Sequence, residues 1–415
     1  MPKPAAFPNQ PDVVIIGGGS AGVAAAVAAA RQGAKTLLVE HFGFLGGAGT
    51  ASLVHSFCGL YELADGEPKI ANAGLPAELE QKLRVEGIGE RRRMGRVDVL
   101  MHSPARLAAF YDRWCAAEPN LTVLLHTQVM AARVEGDRVT ELSLFCRGST
   151  QNVHPRAVVD ASGDAVLAAL TAQTFGAAAT TEMQRTAYVV ALGGVGSLEG
   201  DAPLQIAGCI AQAVKAGELT NAALGTHLRA SVDGSVFMTI DLPDDCDSTQ
   251  AADLTRIEIL GRETAFAVVK ALRGRHAAFA NAEVVSLPAR AGIRESRRWL
   301  GEALLAEDDL LASRESDLDV ARATWPMELR ETARGPKLIY PRDSRPCGIP
   351  LGVLRAKNLR NVFTAGRCIS TTHRAQASTR VMGMALATGQ AAGIAAALGM
   401  ADTSELAREV RARLA

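Results

Sequence analysis

No apolar run in this 415-residue chain reaches the roughly 18 to 20 uninterrupted residues that a spanning helix needs, because the longest candidates are broken by Gly, Gln, Arg or Thr. No membrane span is expected. An excess of charge is lacking too: 44 basic side chains face 44 acidic ones, and a formal net charge of zero argues against non-specific binding to nucleic acid. The seven cysteines, at positions 58, 115, 146, 209, 246, 347 and 368, contain no CxxC and no ligand-like cluster. That leaves no case for an iron–sulfur centre, a structural zinc or another bound metal, or a CxxC redox disulfide. The first residues, MPKPAAFPNQP, hold prolines where a secretory signal has an apolar core, so a cytoplasmic location is expected.

What is present is the composition of a globular enzyme, with 48% hydrophobic and 21% charged residues, in a chain long enough for two or three domains. Its strongest local signal comes early. Asp12 to Ile16 is a short β-branched run, followed by Gly17, Gly18, Gly19, Ser20, Ala21 and Gly22, and then by the alanine-rich stretch Val23 to Arg31. This reads as strand, tight turn and helix. Gly17, Gly19 and Gly22 fit GxGxxG, in which the first glycine permits the turn, the second lets a pyrophosphate approach the backbone and the third lets helix pack on strand. A second strand, Thr36 to Val39, ends in Glu40, about 20 residues further on, where a ribose-binding carboxylate belongs. The following HFGFLGGAGT carries the pair Gly46 and Gly47, a second close-approach site that suits a dinucleotide longer than NAD and reads otherwise as a flexible loop.

Further along, apolar spacing is helical from Leu75 to Glu86 and from Pro104 to Glu118, with Ser103 as a plausible N-cap. The period then changes to short strand-like runs at Leu121–Leu125, Val129–Val134, Val139–Phe145 and Ala157–Val159, the clearest turn being Glu135–Gly136–Asp137. The last run leads into Asp160–Ala161–Ser162–Gly163–Asp164. Residues from about 176 to 335 have a different texture and no phosphate-type loop. The C-terminal part returns to the first texture, with a strand at Asn361–Thr364, then Gly366 and Arg367, and a small-residue helix at Val381–Ala397 suited to close packing. The reading is an α/β protein with a discontinuous Rossmann-like nucleotide-binding domain, residues 1–175 and 336–415, and an inserted α+β substrate or cap domain, residues 176–335.

Taken together, GGGSAG, FGFLGG, VVDASGD, IRESRRWLGE with the following EDDLL, and NVFTAGRCIS with RVMGMALATGQAAG resemble the FAD-dependent oxidoreductases of the glutathione-reductase-like flavoprotein superfamily. More narrowly, they resemble the group related to flavoprotein fumarate reductases and to the flavin subunit of heterodisulfide reductases. The resemblance implies FAD held without a covalent bond. It assigns Gly17, Gly19, Ser20, Ala21 and Gly22 to the pyrophosphate, Glu40 to the adenosine ribose, Gly46 and Gly47 to the inner phosphate and ribityl region, and the backbone near Val129 to adenine. It makes Gly163 and Asp164 a turn beside the cofactor, and Gly366 and Arg367 a Gly–Arg variant whose Arg reaches a phosphate or a flavin edge. The helix that opens with Val381, Met382 and Gly383 then points N–H groups at the flavin N1–C2=O2 edge.

Missing pieces narrow the chemistry. Only Cys58 follows the Gly–Gly pair, so the cysteine pair of disulfide reductases is absent, as are a GDAAH-like segment, a WxWxIP motif and cluster-binding cysteines. What remains is hydride exchange between a small organic substrate, anionic ones included, and flavin N5, with an unidentified electron donor or acceptor. A flavin-dependent oxidase or monooxygenase using oxygen is one alternative, and an electron-relay subunit of a complex is another. A homo-oligomer is left open.

Candidate catalytic groups cluster in two places. Arg290, Arg294, Glu295, Arg297 and Arg298 lie within nine residues, either a site or a solvated charged turn, and the resemblance favours Arg294 and Arg297. His373, Arg374 and Arg380 lie between the GRCIS segment and the last small-residue helix, where His373 would be the acid/base and Arg380 the anion holder. His55 and Cys58 could face the ring, with core packing the plainer reading for Cys58, and a covalent flavin on His41 or His55 is disfavoured. Tyr340 and Arg342 belong either to a segment near the active site or to a surface loop.

Overall fold

The computed structural model describes residues 10–63, 66–180, 182–242, 247–332 and 335–414; Cys246 and residues 1–9, which carry most of the reading of location, lie outside them. Five parallel strands form the central sheet: β1 (Val13–Ile16), β2 (Thr36–Val39), β3 (Leu121–Leu124), β4 (Ala157–Asp160) and β5 (Val362–Thr364), in the order β5-β4-β1-β2-β3. Covered on both faces, β1 and β2 are fully buried, as expected for near-continuous apolar runs in a parallel sheet. Register brings the carboxyl ends together: Ile16 sits opposite both Val39 and Asp160, and Asp160 opposite Thr364. The segments that carry Gly17, Glu40, Gly163 and Gly366 therefore leave the sheet along one edge, where open α/β sheets bind ligands.

Two helices made of small residues lie against each other on this sheet: α1 (Ser20–Arg31) and α2 (Met382–Leu398). Their contact needs glycine. A Cβ on Gly389 would run into the carbonyl oxygen of Ala21, so the two backbones approach as closely as they do only because that side chain is absent. By length and composition, α2 together with the short helix His373–Thr379 passes for an apolar span, but the pair is bent by 93° and α2 is buried in the protein. Among the described residues no single helix is long and apolar enough to cross a membrane. On the other side of the sheet lies an antiparallel meander, Gln128–Glu135, Arg138–Cys146 and Ser149–Val153, whose first turn falls at Gly136 as its sequence suggests.

The inserted body is a four-stranded antiparallel sheet, ordered His227–Ala230, Val236–Asp241, Ala187–Gly193, Glu283–Ser286, with helices Ala202–Lys215 and Ala251–Arg273 packed on it. It has its own core around Tyr188, Met238, Val268 and Phe279. Trp299 and the apolar residues from Leu305 to Leu329 instead share cores with the central sheet and α1, so by packing the inserted body ends well before residue 335. One hairpin is not visible in the apolar pattern: Gly89–Met94 pairs with Val97–His102, where the run Arg91–Arg92–Arg93 hides a strand and Arg93 reaches back to the buried Asp98 at 2.6 Å.

Candidate functional site

A single cavity of about 880 Å³ begins at the carboxyl ends of β1 and β2 and runs to the inserted sheet. This is the large end of the range typical of ligand pockets. At its first end stand Val39, Glu40, Thr127, Gln128 and Val129. The Glu40 carboxylate is buried and accepts hydrogen bonds from the Gly18 N–H (2.6 Å) and the Phe42 N–H (2.8 Å), with His41 Nδ1 at 2.9 Å. Burial alone would raise its pKa, but these contacts outweigh that and hold the carboxyl below its ordinary value. An ionised acceptor therefore faces the cavity where a ribose would lie.

The middle of the cavity is a cradle for anions. The first N–H groups of α1 have no acceptor within the helix, no side chain caps them, and Ser20 and Ala21 line the cavity. Gly22 does not line it; a Cβ there would overlap the Gly17 carbonyl oxygen, so Gly22 sets the closeness of turn and helix. Gly46 likewise shapes the wall from behind: its N–H donates to the Gly18 carbonyl at 2.8 Å, while Gly47 lines the space. Across the cradle lie Gly163, Asp164, Gly366 and Arg367. Arg367 is not a free cation, because Nη2 holds Asp164 Oδ1 at 2.6 Å and Nη1 donates to Ser296 Oγ at 2.9 Å. Arg290 is different. It lines the same stretch, has no ion pair among the described residues, stacks its guanidinium 5.5 Å from the Phe42 ring centre, and has its pKa pushed down first by burial, with Asp164 and Glu40 opposing from further away. A diphosphate would supply its missing counter-charge.

Beyond the cradle the wall is formed by Ala48, Gly292, Ile293 and the start of α2, with Val381, Met382 and Ala385. No side chain caps this helix. Gly383 is a correction to the sequence reading: its N–H is taken by the Cys58 carbonyl at 2.9 Å, and a Cβ on it would lie 2.5 Å from the carbonyl carbon of Gly59. It packs the helix on that loop and does not line the cavity. Space, anionic and cationic partners, and bare helix N-termini thus fit a group of the size and charge of FAD.

The far end widens into a chamber between α2 and the inserted sheet. Arg229, Arg294, Arg330 and Arg380 line it together with Glu328, His227 and Cys58, and apolar walls come from Val97, Val99, Val189 and Leu338. Asp241, at the buried end of its strand, accepts from Arg294 Nη2 (2.7 Å) and Arg330 Nη1 (2.6 Å), and Glu328 accepts from Arg330 Nε (2.8 Å) and Trp325 Nε1 (3.0 Å). Burial works against ionising these two carboxyls, but the arginines prevail and hold both at about 2. His227 is driven the other way, to about 4, by burial first and then by Arg229 and Arg330, so it is neutral at pH 7. Burial pushes the Cys58 thiol up to about 12, which keeps it protonated.

The four arginines of the 290–298 segment separate in space. That segment runs extended, tied by Ala187 and Gly292 exchanging backbone hydrogen bonds, and it aims Arg290 at the cradle and Arg294 into the chamber. Arg297 leaves the cavity, donating to the Asp164 carbonyl at 3.0 Å and lying over Phe175. Arg298 is buried against Glu295. His373, expected as the acid/base, also lies outside the cavity: it heads its short helix and bonds Glu295 Oε1 at 2.7 Å, in a network that holds Gln184 through its backbone N–H. Gln184 Oε1 in turn accepts from Arg380 Nη2, so His373 is linked to Arg380 through Glu295 and Gln184. Tyr340 stacks under Arg96, and neither it nor Arg342 reaches the cavity, although Leu338 does. His41 lies at the adenosine end, away from α2, and His55 bonds the Leu53 carbonyl and stacks on Phe237. The sequence reading missed Arg229, His227, Asp241, Glu328 and Arg330; the available signal was a charged residue set inside or at the end of an otherwise apolar strand, as in HLRA and VFMTID.

A family model described as FAD dependent oxidoreductase matches residues 12–414 of this chain. No curated protein matches its sequence. Among solved structures the chain is similar to a geranylgeranyl bacteriochlorophyll reductase-like protein from Thermoplasma acidophilum, with 13% identity, 98% of this chain and 80% of that one covered, and a TM-score of 0.50. It is also similar to PqsL of P. aeruginosa in complex with 2-aminobenzoylacetate (15% identity, 98% and 92% covered, TM-score 0.46) and to L-proline dehydrogenase from P. horikoshii (11% identity, 93% of each chain, TM-score 0.48). At such identities the likeness of the first speaks for the fold alone.

Proposed function

The chain belongs to the FAD dependent oxidoreductase family, and on that premise we propose that it is a dehydrogenase or reductase moving a hydride between flavin N5 and a small organic substrate in the arginine-lined chamber. The observation that carries this reading is continuity: one cavity leads from Glu40 and Val129, past the α1 N-terminus and Arg290, to Arg380 and His227. When bound, FAD supplies the two-electron chemistry that no side chain here can supply. The chain's own residues do the rest. Glu40 would orient a ribose, while Arg290 and the N–H groups of α1 would neutralise a diphosphate. The N-terminus of α2 at Met382 offers a positive dipole end where negative charge collects on reduction.

His227 is the proton carrier this geometry favours. Its Nδ1 faces the Gly225 carbonyl at 3.3 Å, which leaves Nε2 of the neutral ring with a lone pair to take a proton from a substrate hydroxyl or amine as hydride departs, and to return it in the reverse direction. Burial first, and then Arg229 and Arg330, keep its basicity low, and an anion entering the chamber would offset the part due to the arginines. The test is anaerobic bleaching of the purified holoprotein with a panel of small hydroxy, amino and unsaturated compounds, followed by stopped-flow reduction. A bleaching substrate should reduce wild type at least about 100-fold faster than His227→Asn at unchanged FAD content. Colourless protein that takes up no FAD, or equal rates in the two proteins, would sink the respective part of the reading.

A further inference from the structure

We infer that the chamber is built for a small organic acid, whose carboxylate is held between Arg229 and Arg380 while its apolar body faces Val97, Val99 and Val189; this rests on the function proposed above and names its substrate class. The argument is one of charge. Of the four guanidinium groups lining the chamber, Arg294 and Arg330 are matched by Asp241 and Glu328 in a closed set of two cations and two anions, at 2.6 to 2.8 Å. Among the described residues neither Arg229 nor Arg380 has a carboxylate within ion-pair distance, although Glu328 acts on both from further away. Arg229 donates from Nη1 to the thioether of Met94 at 3.1 Å, a weak acceptor. Arg380 spends Nη2 on two uncharged oxygens, Gln184 Oε1 at 3.2 Å and the Glu328 carbonyl at 3.1 Å, while its buried Nε has no partner. Burial pushes both guanidinium groups down, Arg380 to about 10, which leaves each charged at neutral pH in a site where charge is costly.

Glu328 also acts on Arg229 and Arg380 from beyond ion-pair distance, but Asp241 and Glu328 together leave four guanidinium groups with two carboxylates, and among the described residues lining the chamber there is no further carboxylate. Cys58, which lies within electrostatic reach of both arginines, stays a thiol, and His227 is neutral. A bound ligand that relieves this imbalance must itself be anionic. The planar guanidinium fork matches the two oxygens of a carboxylate, and the valine-lined walls suit a carbon skeleton better than a fully hydrated inorganic anion.

The test is calorimetric titration of the full chain, with and without FAD, using sodium benzoate and sodium succinate, their uncharged counterparts benzamide and succinamide, and sodium phosphate. At least one of the two acids should bind, with its amide at least about tenfold weaker; Arg229→Gln and Arg380→Gln should each weaken it about 10- to 100-fold. Arg133→Gln, on the exposed meander, should leave binding unchanged, and Arg380→Lys should fall between wild type and Arg380→Gln. Failure of both acids to bind, equal binding of acid and amide, phosphate binding tighter than either acid, or folded arginine variants that bind as wild type would each overturn the inference. If a glutamine variant does not fold, the contrast of acid with amide in wild type and the Arg380→Lys result decide. Because the titration is also run without FAD, a protein that takes up no flavin yet binds acid through these arginines refutes the redox reading and leaves this one standing.

Discussion

Glu40, proposed to meet a ribose, also organises the backbone around it. Its two oxygens tie the Gly18 and Phe42 N–H groups and His41, so the same carboxylate shapes the turn after β1 and the segment after β2. Glu40→Ala should lower FAD affinity about 10- to 100-fold, seen as flavin lost on gel filtration and recovered by excess FAD. Arg290→Gln should weaken FAD retention in the same assay, because it removes a cradle cation that has no ion pair among the described residues, whereas Arg297→Gln should not. Equal retention in all three variants would remove both assignments. Glu40 was legible in the sequence, since its position after a second strand is a matter of chain length. The separate fates of Arg290, Arg294, Arg297 and Arg298 were not, because each is aimed by a partner remote in the chain: the cradle, Asp241, the Asp164 carbonyl and, for Arg298, the Thr371 carbonyl in addition to nearby Glu295.

Among the elements, the crossing of α1 and α2 holds the site in shape. Each presents small residues to the other, and each offers its N-terminus to the cavity through Ser20 and Ala21 on one side and Met382 on the other. Gly389→Val should force the pair apart, destabilise the protein by about 3 kcal/mol and lower FAD retention together with melting temperature. A variant that melts like wild type would show that the contact yields without cost. The helical character of both segments was readable from their alanine content and absence of proline. Their mutual contact, nearly the full chain length apart, was suggested by small-residue composition but located only by the fold.

Among the described residues of the whole molecule, three histidines near the junction of the two bodies are held low, buried His55 and half-buried His227 at about 4 and buried His102 at about 3, desolvation being the first cause in every case. Each is neutral in the folded protein and takes up a proton on unfolding below its ordinary value of 6.5. Stability should therefore be unaffected by these groups above pH 6.5 and fall as pH drops from 6.5 toward 4, since the unfolded state then binds more protons. Below that, Asp241 and Glu328 take over, because their depressed values of about 2 contribute stability that is lost as pH falls below the ordinary carboxyl range toward 2. Melting temperature measured from pH 7.5 to 4 should fall steadily below 6.5, and His55→Asn should shallow the slope. A flat profile between pH 7 and 5 would show these imidazoles to be solvated.

The sequence by itself determined the nucleotide-binding half: the strand, glycine turn, helix and terminal acid follow one another within a few dozen residues, and local chain geometry is enough to make a dinucleotide cradle of them. It also singled out Arg380 and Arg294, both of which line the chamber. Tertiary structure alone decided the chamber. Its chemistry depends on which of many charged side chains remain unpaired after folding. His373 is taken by Glu295 and Arg297 by a backbone carbonyl, whereas Arg229 and Arg380 line the cavity with no carboxylate in ion-pair distance among the described residues. Pairing of that kind is a property of distances between strands and helices far apart in the chain, and no spacing along the sequence encodes it.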